Sequence, residues 1–253
     1  MAALLAPAPE RERTGGLTIP RLVLWNIDLT LVDVARVSRD AYAEAFRRVT
    51  GRRLVALPQL AGSSDSEIFF RSLALNAALP GAGPPESEDL LARYYTELAA
   101  AFRAKRGLLA SQGRALPGAA AALAAIARLP GVIQTVLTGT IRENAAEKLR
   151  AFDLDHYLDL DIGGYGSDVY PKGTQILRSL AMAGEKYGLR LAPDAAVYIA
   201  DSTRDVAAAK VVGAACVGVA TGRSTVGELR ECGASQVLDD LTSTGEVIAA
   251  IGQ

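Results

Sequence analysis

The chain has 253 residues, half of them hydrophobic, and its 27 basic and 28 acidic side chains give a net charge of −1. This length allows one large domain, or a core domain with a smaller insertion. The balanced charge gives no general attraction to nucleic acids or anionic membranes, and no segment approaches the ~20 apolar residues that span a bilayer. The composition therefore predicts a globular protein that binds neither nucleic acid nor membrane.

The N-terminal segment and the cysteines indicate in which cellular compartment the protein is expected. Residues 1–19 combine a short apolar run with charges and glycines, which is not the pattern of a secretory signal, and we expect a flexible tail. Cys216 and Cys232 lack metal-site spacing and are typical of a reduced cytoplasmic protein. A single histidine, His156, argues against a His-rich metal site. We therefore expect a cytoplasmic protein.

Short apolar runs alternate with helical patterns along most of the chain. Near-continuous runs rich in β-branched residues are typical of parallel strands that are buried on both faces. Four strong runs have this pattern, 21–25, 132–137, 196–200 and 214–220, and two weaker ones lie at 158–163 and 235–241. Strand–helix alternation of this kind predicts a doubly wound α/β fold with a parallel sheet.

One long interval breaks the alternation. Between residues 34 and 113 no strand pattern is present, and hydrophobic residues recur at helical spacing. The economical interpretation is a helical domain that is inserted after the first strand. We therefore predict a core domain of residues 20–33 and 114–253, and a helical domain of residues 34–113.

Polar residues follow the strong strands at their carboxyl ends, where open α/β sheets bind ligands. They are Asn26, Asp28 and Thr30, then Thr138 and Gly139, and finally Asp201 and Asp205, with Lys172 between the last two groups. Each alone would suit helix capping or a solvated side chain. Together they combine helix N-termini that bind phosphate, a lysine that neutralises phosphoryl charge, and acids that bind Mg²⁺. Their order along the chain predicts a pocket for phosphate and a metal ion.

These segments resemble the motifs of the haloacid dehalogenase superfamily, over residues 20–251. "WNIDLTLVD" resembles the first motif, normally D-x-D-x-T, and "VLTGT" resembles the second. Lys172 falls at the third motif, and "IADSTRDVAAAKVVGAACVGVATG" resembles the fourth. "LAGSSDSEIF" is similar to a substrate loop of the cap, with Ser64 in its hydroxyl position. The likeness is to the phosphoglycolate phosphatase and β-phosphoglucomutase-like members, which implies a Rossmannoid core with an inserted α-helical cap.

The resemblance also implies a Mg²⁺-dependent phosphohydrolase that acts on a small phosphorylated metabolite. In the family, an aspartate at position 26 attacks phosphorus, Asp28 serves as general acid and base, and Lys172 steadies the developing charge. Thr138 would hold a phosphate oxygen. The implied metal ligands are Asn26, Asp28 (through its carbonyl), Asp201 and Asp205, and the implied phosphate or substrate contacts are Thr30, Gly139 and Ser64.

Position 26 departs from the family pattern because it carries Asn26 where the family has an aspartate. A neutral amide is a poor nucleophile, and it removes one negative charge from the metal site. Two functions therefore stay open: a phosphatase impaired at this position, and a catalytically inactive protein that binds phosphate or a metabolite. Asp28 as a substitute nucleophile is a further hypothesis. The substrate is not predicted, since Ser63 stands where the cap loop usually has a basic residue. The oligomeric state is also left open.

Overall fold

A computed structural model of the chain describes residues 20–60, 62–76, 84–168 and 171–252. The expected flexible tail, residues 1–19, lies outside the described residues. Within the described part, no helix combines the length and the apolar character needed to cross a bilayer. Both cysteines are free thiols.

A five-stranded parallel sheet lies at the centre of the fold. In spatial order its strands are β4 (Val132–Val136), β1 (Arg21–Trp25), β5 (Ala196–Ala200), β6 (Ala215–Val219) and β7 (Gln236–Leu238). In β1, Leu24 aligns with Thr135 of β4 on one side and Tyr198 of β5 on the other. The predicted α/β fold with a parallel sheet is confirmed.

Helices cover both faces of this sheet. They are α4 (Ala119–Ile126), α5 (Arg142–Arg150), α6 (Lys172–Tyr187), α7 (Thr203–Val211), α8 (Val226–Cys232) and α9 (Thr244–Ile251). Alternate side chains of β1 enter two separate hydrophobic clusters, Val23 and Trp25 in one and Leu22 and Leu24 in the other. Burial on both faces is the reason why the strands are continuously apolar.

Among the described residues, three helices lie between residues 34 and 113, and we call this segment the helical insertion: α1 (Ala35–Thr50), α2 (Asp65–Leu75) and α3 (Pro84–Gln112). Helix α1 packs along α3, and Phe69 of α2 stacks on Tyr94 of α3 with ring centroids 4.1 Å apart. The ends of the insertion are joined by a short antiparallel pair, β2 (Val32–Asp33) and β3 (Arg114–Ala115). Two-residue strands have no readable periodicity, so the sequence did not predict this pair.

The weak strand prediction at 158–163 is wrong. The chain forms a 3₁₀ turn at Asp155–Tyr157 and then further turns. It contacts the sheet through a backbone hydrogen bond from the Asp159 N–H to the Gln134 carbonyl at 2.8 Å and through an isolated bridge between Gly164 and Leu137. The carboxylate of Asp159 accepts a hydrogen bond from the backbone N–H of Asp161 at 3.1 Å. Local bonds of this kind compete with the ladder of a strand.

A buried hydrogen-bond chain links β1, β4 and α4. Trp25 Nε1 donates to Gln134 Oε1 at 3.0 Å, and Gln134 Nε2 donates to the backbone carbonyl of Leu123 at 3.0 Å. All three residues are buried. Gln134 therefore satisfies the indole N–H of Trp25, which would otherwise lie unpaired in the core, whereas the Leu123 carbonyl also accepts from the Ala127 backbone N–H at 3.0 Å.

Gln134→Met is expected to lower the free energy of unfolding by about 1–3 kcal/mol. The substitution leaves the buried indole N–H of Trp25 without a partner, and such a group costs ~1–3 kcal/mol. Urea unfolding followed by circular dichroism measures the change. Gln59→Met, at an exposed position, is the control and should shift stability by less than about 0.5 kcal/mol. Equal midpoints for the two variants would contradict the prediction.

Candidate functional site

The chain turns tightly after β1, at the carboxyl edge of the sheet. The Asn26 backbone N–H still donates to the carbonyl of Ile199 in β5 at 2.9 Å. Leu29 then adopts a left-handed conformation with φ of 60°, and its carbonyl accepts a hydrogen bond from Thr221 Oγ1 at 2.6 Å. A non-glycine residue in this region is uncommon and costs energy. The turn brings the three polar residues of the first motif together.

The amide of Asn26 lies at the centre of the site. Its Nδ2 donates to Asp201 Oδ1 at 2.8 Å and to the backbone carbonyl of Asp28 at 3.0 Å. Thr30 Oγ1 donates to the same Asp201 oxygen at 3.2 Å. An aspartate in the same rotamer would direct an oxygen at Asp201 Oδ1 and at the Asp28 carbonyl, an arrangement that a cation or a proton between them would stabilise.

Asp201 carries a buried carboxylate. Burial and, next, the nearby charge of Asp205 raise the pKa of Asp201 to about 7, a net value that includes the opposing effect of the hydrogen bonds from Asn26 and Thr30. A Cβ atom on Gly222 would lie 1.9 Å from Asp201 Oδ2, so a glycine is required there. The carboxylate is therefore short of positive charge, which a cation would supply.

Lys172 begins α6 and forms an ion pair with the carboxylate of Asp205. Asp205 is fully buried and accepts further hydrogen bonds from Ser202 Oγ at 2.6 Å and from the Tyr198 hydroxyl at 3.2 Å. Lys172 lines the pocket that contains Asn26, whereas Asp205 does not. The structure thus places Asp205 behind Lys172, where it can orient the ammonium group.

Thr138 and Gly139 follow β4 at the same edge of the sheet. Thr138 is buried, and its Oγ1 accepts from the backbone N–H of Thr140 at 3.2 Å. A Cβ atom on Gly139 would lie 2.2 Å from the carbonyl oxygen of Ser63 in the helical insertion. This close approach explains why the loop needs a glycine.

Ser64 lies beside this group. It is the N-cap of α2, where its Oγ accepts from the backbone N–H of Glu67 at 3.3 Å and the Glu67 carboxylate accepts from the Ser64 N–H at 2.9 Å. This reciprocal capping occupies the hydroxyl as an acceptor. Ser64 lines a larger outer cavity that also contains Thr138 and Lys172, and its contact with substrate stays a prediction.

Lys148 is a buried site residue that the sequence analysis missed. From α5 it donates to Asp28 Oδ2 at 2.7 Å, to Asp28 Oδ1 at 2.9 Å and to Thr140 Oγ1 at 2.9 Å. Thr140 Oγ1 in turn donates to Asp28 Oδ2 at 3.0 Å. The signal available in the sequence was its place on the apolar face of the helix, with Ala145 and Leu149.

A small inner pocket joins these groups. Of the predicted site residues, it is lined by Asn26, Asp28, Thr138, Gly139, Lys172 and Asp201, and Thr30 lies behind it against Asp201. Helix α1 adds Ser38, whose Oγ is buried and has no hydrogen-bond partner among the described residues. Since buried hydroxyl groups are normally hydrogen-bonded, Ser38 marks the pocket as a place for a polar molecule.

The oxygen atoms around Asn26 fit a hard divalent cation. The Asp28 carbonyl and the Asp201 carboxylate converge on the Asn26 amide, and a half-turn of that amide would add its Oδ1 as a third oxygen. This set carries one formal negative charge, whereas an aspartate at position 26 would give two. The set therefore fits the cation but attracts it less strongly.

With this geometry, the chain can be compared with known proteins. It matches the haloacid dehalogenase-like hydrolase family over residues 23–210. The match spans most of the chain, which therefore belongs to this family of hydrolases. The resemblance inferred from the motifs is confirmed at the family level.

Particular relatives are named as phosphatases. The chain is 29% identical over 235 residues to "Probable phosphatase IndB" of Dickeya dadantii, covering 90% of this chain and 92% of the relative. It is 26% identical over 226 residues to phosphoglycolate phosphatase 1 of Pseudomonas aeruginosa, covering 88% and 78%. The structure of a hydrolase from Pseudomonas syringae shares the fold, with a TM-score of 0.63 and 21% identity over 91% of this chain and 98% of that one.

Asp65 is a third buried carboxylate, at the start of α2. The Tyr42 hydroxyl donates to its Oδ1 at 2.6 Å, and the Ile141 backbone N–H donates to its Oδ2 at 2.8 Å. Burial raises the pKa of Asp65 to about 6, although the charge of Lys148 acts in the opposite direction. The folded protein therefore keeps a proton on Asp65 at a higher pH than the unfolded chain does.

Stability is expected to fall as pH rises from about 4 to about 6, since an unfolded aspartyl group titrates near ~3.9 and the folded state binds more protons in this window. The Asp65 contribution is on the order of 3 kcal/mol. Urea unfolding between pH 4 and 7 measures the slope, which Asp65→Asn should reduce. Asp40→Asn, at an exposed position, is the control. Identical slopes for the protein and Asp65→Asn would contradict the prediction.

Proposed function

We propose that the protein is a Mg²⁺-dependent phosphatase of the haloacid dehalogenase type, that it acts on a small phosphorylated metabolite, and that Asn26 impairs its turnover. The observation that carries the proposal is the convergence of the Asn26 amide, the Asp28 carbonyl and the Asp201 carboxylate at one point. This point lies in a pocket that also contains Thr138 and Lys172. Oxygen ligands beside a hydroxyl and an ammonium group suit a phosphate with a hard cation.

Each group around the phosphate has a proposed role. The Asp28 carbonyl, Asp201 and the Asn26 amide oxygen would hold Mg²⁺, and a bound Mg²⁺ supplies charge neutralisation for the phosphoryl oxygens. Thr138 would donate to one phosphate oxygen. Lys172, oriented by Asp205, would compensate charge on another.

The family reaction has two steps that position 26 limits. A carboxylate at this position forms a bond to phosphorus, the bond between phosphorus and the leaving oxygen breaks, and Asp28 gives that oxygen a proton. Water then attacks phosphorus, Asp28 takes its proton, and the free carboxylate and inorganic phosphate result. The amide of Asn26 cannot form the ordinary acyl-phosphate, which is why we infer impaired turnover.

We further propose that the helical insertion is the cap domain, with boundaries at residues 34 and 113. The proposal is supported by Ser38 and Tyr42 of α1, which line the inner pocket opposite the core. Walls from both sides restrict the pocket and favour a small substrate. The two free cysteines support a cytoplasmic location.

A specific observation favours the alternative, a protein that binds phosphate or a metabolite without turnover. The Asn26 amide already satisfies Asp201 and the Asp28 carbonyl with hydrogen bonds, so these oxygens are stabilised without a cation. Asp28 is weakened as a substitute nucleophile because the Lys148 ammonium neutralises its charge.

Asn26→Asp is expected to raise phosphatase activity at least about 100-fold, because it restores the nucleophile of a reaction whose other groups are present. The assay uses p-nitrophenyl phosphate, phosphoglycolate and a panel of sugar phosphates with Mg²⁺. Adding Asp201→Asn to Asn26→Asp is the control and should abolish the gain. Equal, substantial activity in the protein as it stands would refute the impairment. If both forms are inert while calorimetry detects ligand binding, the binding protein is the correct reading.

Mg²⁺ is expected to bind Asn26→Asp at least about tenfold more tightly than the protein as it stands. The added carboxylate doubles the formal negative charge around the cation, and a tenfold change requires only ~1.4 kcal/mol. Isothermal titration calorimetry measures both affinities, and Asp201→Asn should weaken binding in either form. Equal affinities would show that position 26 does not face the metal.

A further inference from the structure

Lys148 forms a saturated ion pair within the site. An ammonium group has three N–H donors, and the three acceptors here are the two Asp28 oxygens and Thr140 Oγ1, at 2.7–2.9 Å. The side chain is 1% exposed, whereas that of Asp28 is 41% exposed. Lys148 also lines the inner pocket, but its three donors are engaged, so Asp28 is the member of the pair that offers accessible surface to a ligand.

The carboxylate of Asp28 is fixed from the side of α5. Lys148 lies within that helix. Thr140 lies two residues before the helix begins, and its Oγ1 donates to Asp28 Oδ2. The backbone carbonyl of Asp28 is held separately, by the amide of Asn26. The backbone carbonyl and the side-chain carboxylate of Asp28 are thus held by different residues. Lys148 and Thr140 together fix the direction of the carboxylate.

Stability alone does not explain a lysine at position 148. Phe102 of α3, itself buried, lies over the ammonium with its ring centroid 5.4 Å from Nζ. Removing an ammonium from water costs several kcal/mol, and replacing a buried ion pair by apolar side chains is often neutral or stabilising. A methionine would fill similar space without this cost. The charge is therefore better explained by what it does to Asp28.

We propose that Lys148 is a positioning residue that holds the carboxylate of Asp28 toward the substrate pocket. The inference rests on the proposed function, in which Asp28 exchanges a proton with the leaving oxygen and then with water. Lys148 touches neither the phosphate nor the leaving group. It acts through Asp28, together with Thr140.

Leaving-group dependence tests this role in the Asn26→Asp background. An alkyl leaving group needs a proton from Asp28, whereas p-nitrophenolate leaves readily without one. Lys148→Met should therefore lower kcat/KM for phosphoglycolate at least about tenfold more than for p-nitrophenyl phosphate. Lys148→Arg should recover most of the loss because it keeps a charged donor. Equal losses with the two esters would indicate a merely structural role and would overturn the proposal.

Lys186→Met is the matched control, since Lys186 forms ion pairs with Asp159 and Asp161 at the surface. It should leave the ratio of the two kcat/KM values unchanged.

Crystal structures of Lys148→Met and Lys148→Arg give a second readout that is independent of activity. The Asp28 carboxylate should move away from Thr140 in the methionine variant and remain in the arginine variant. A carboxylate that stays in place in Lys148→Met overturns the positioning role, whatever the assays show. If Asn26→Asp is inert with every ester, the proposed function fails, and the crystal structures still decide whether Lys148 positions Asp28.

Discussion

The buried carboxylate of Asp201 imposes the central constraint on this site. A carboxylate removed from water must receive hydrogen bonds or a positive charge, or take up a proton. Here Asn26 and Thr30 donate to its Oδ1, and its pKa still lies near 7. The tight turn after β1 delivers both donors. The conformation of the first motif therefore determines how well the Asp201 carboxylate, at the end of β5, is stabilised.

The site contains three carboxylates, but its lysines neutralise only two of them. Asp28 pairs with Lys148, and Asp205 pairs with Lys172. Among the described residues, Asp201 forms no ion pair within 4 Å with a basic side chain, and it is the carboxylate that faces Asn26. An aspartate at position 26 would leave two uncompensated negative charges close together, which a divalent cation would balance. The asparagine halves this charge, and hydrogen bonds from the Asn26 N–H and the Thr30 hydroxyl stabilise the Asp201 carboxylate that remains.

The sequence predicted the strands well because burial on both faces leaves a signal that is independent of neighbouring segments. The runs at 21–25 and 196–200 have the observed bounds of β1 and β5. The run at 158–163 failed because its carboxylates form local turns, a competition that hydrophobic pattern does not register. The pairing of β2 with β3 was missed because two residues cannot display a period of two.

In the candidate site too, some residues could be predicted from the sequence and others could not. Residues at strand ends could be found because topology alone brings them to one edge of the sheet. Lys148 could not, because its importance depends on which way one face of α5 is directed after folding. A lysine in "RENAAEKL" has the composition of any exposed helix, and only the approach of Asp28 and Phe102 distinguishes it.

Helix α5 connects the helical insertion to the reacting groups. At its N-terminus, the Asp65 backbone N–H donates to the Gly139 carbonyl at 2.8 Å, and the Ile141 N–H donates to the Asp65 carboxylate at 2.8 Å. About two turns further along, the same helix carries Lys148, which holds Asp28. A displacement of α2 would therefore disturb the loop at Thr138 and Gly139 and the orientation of Asp28 together. The packing between the two is close, since a Cβ on Gly139 would lie 2.2 Å from the Ser63 carbonyl oxygen, so a shift of the insertion at Ser63 acts directly on the loop.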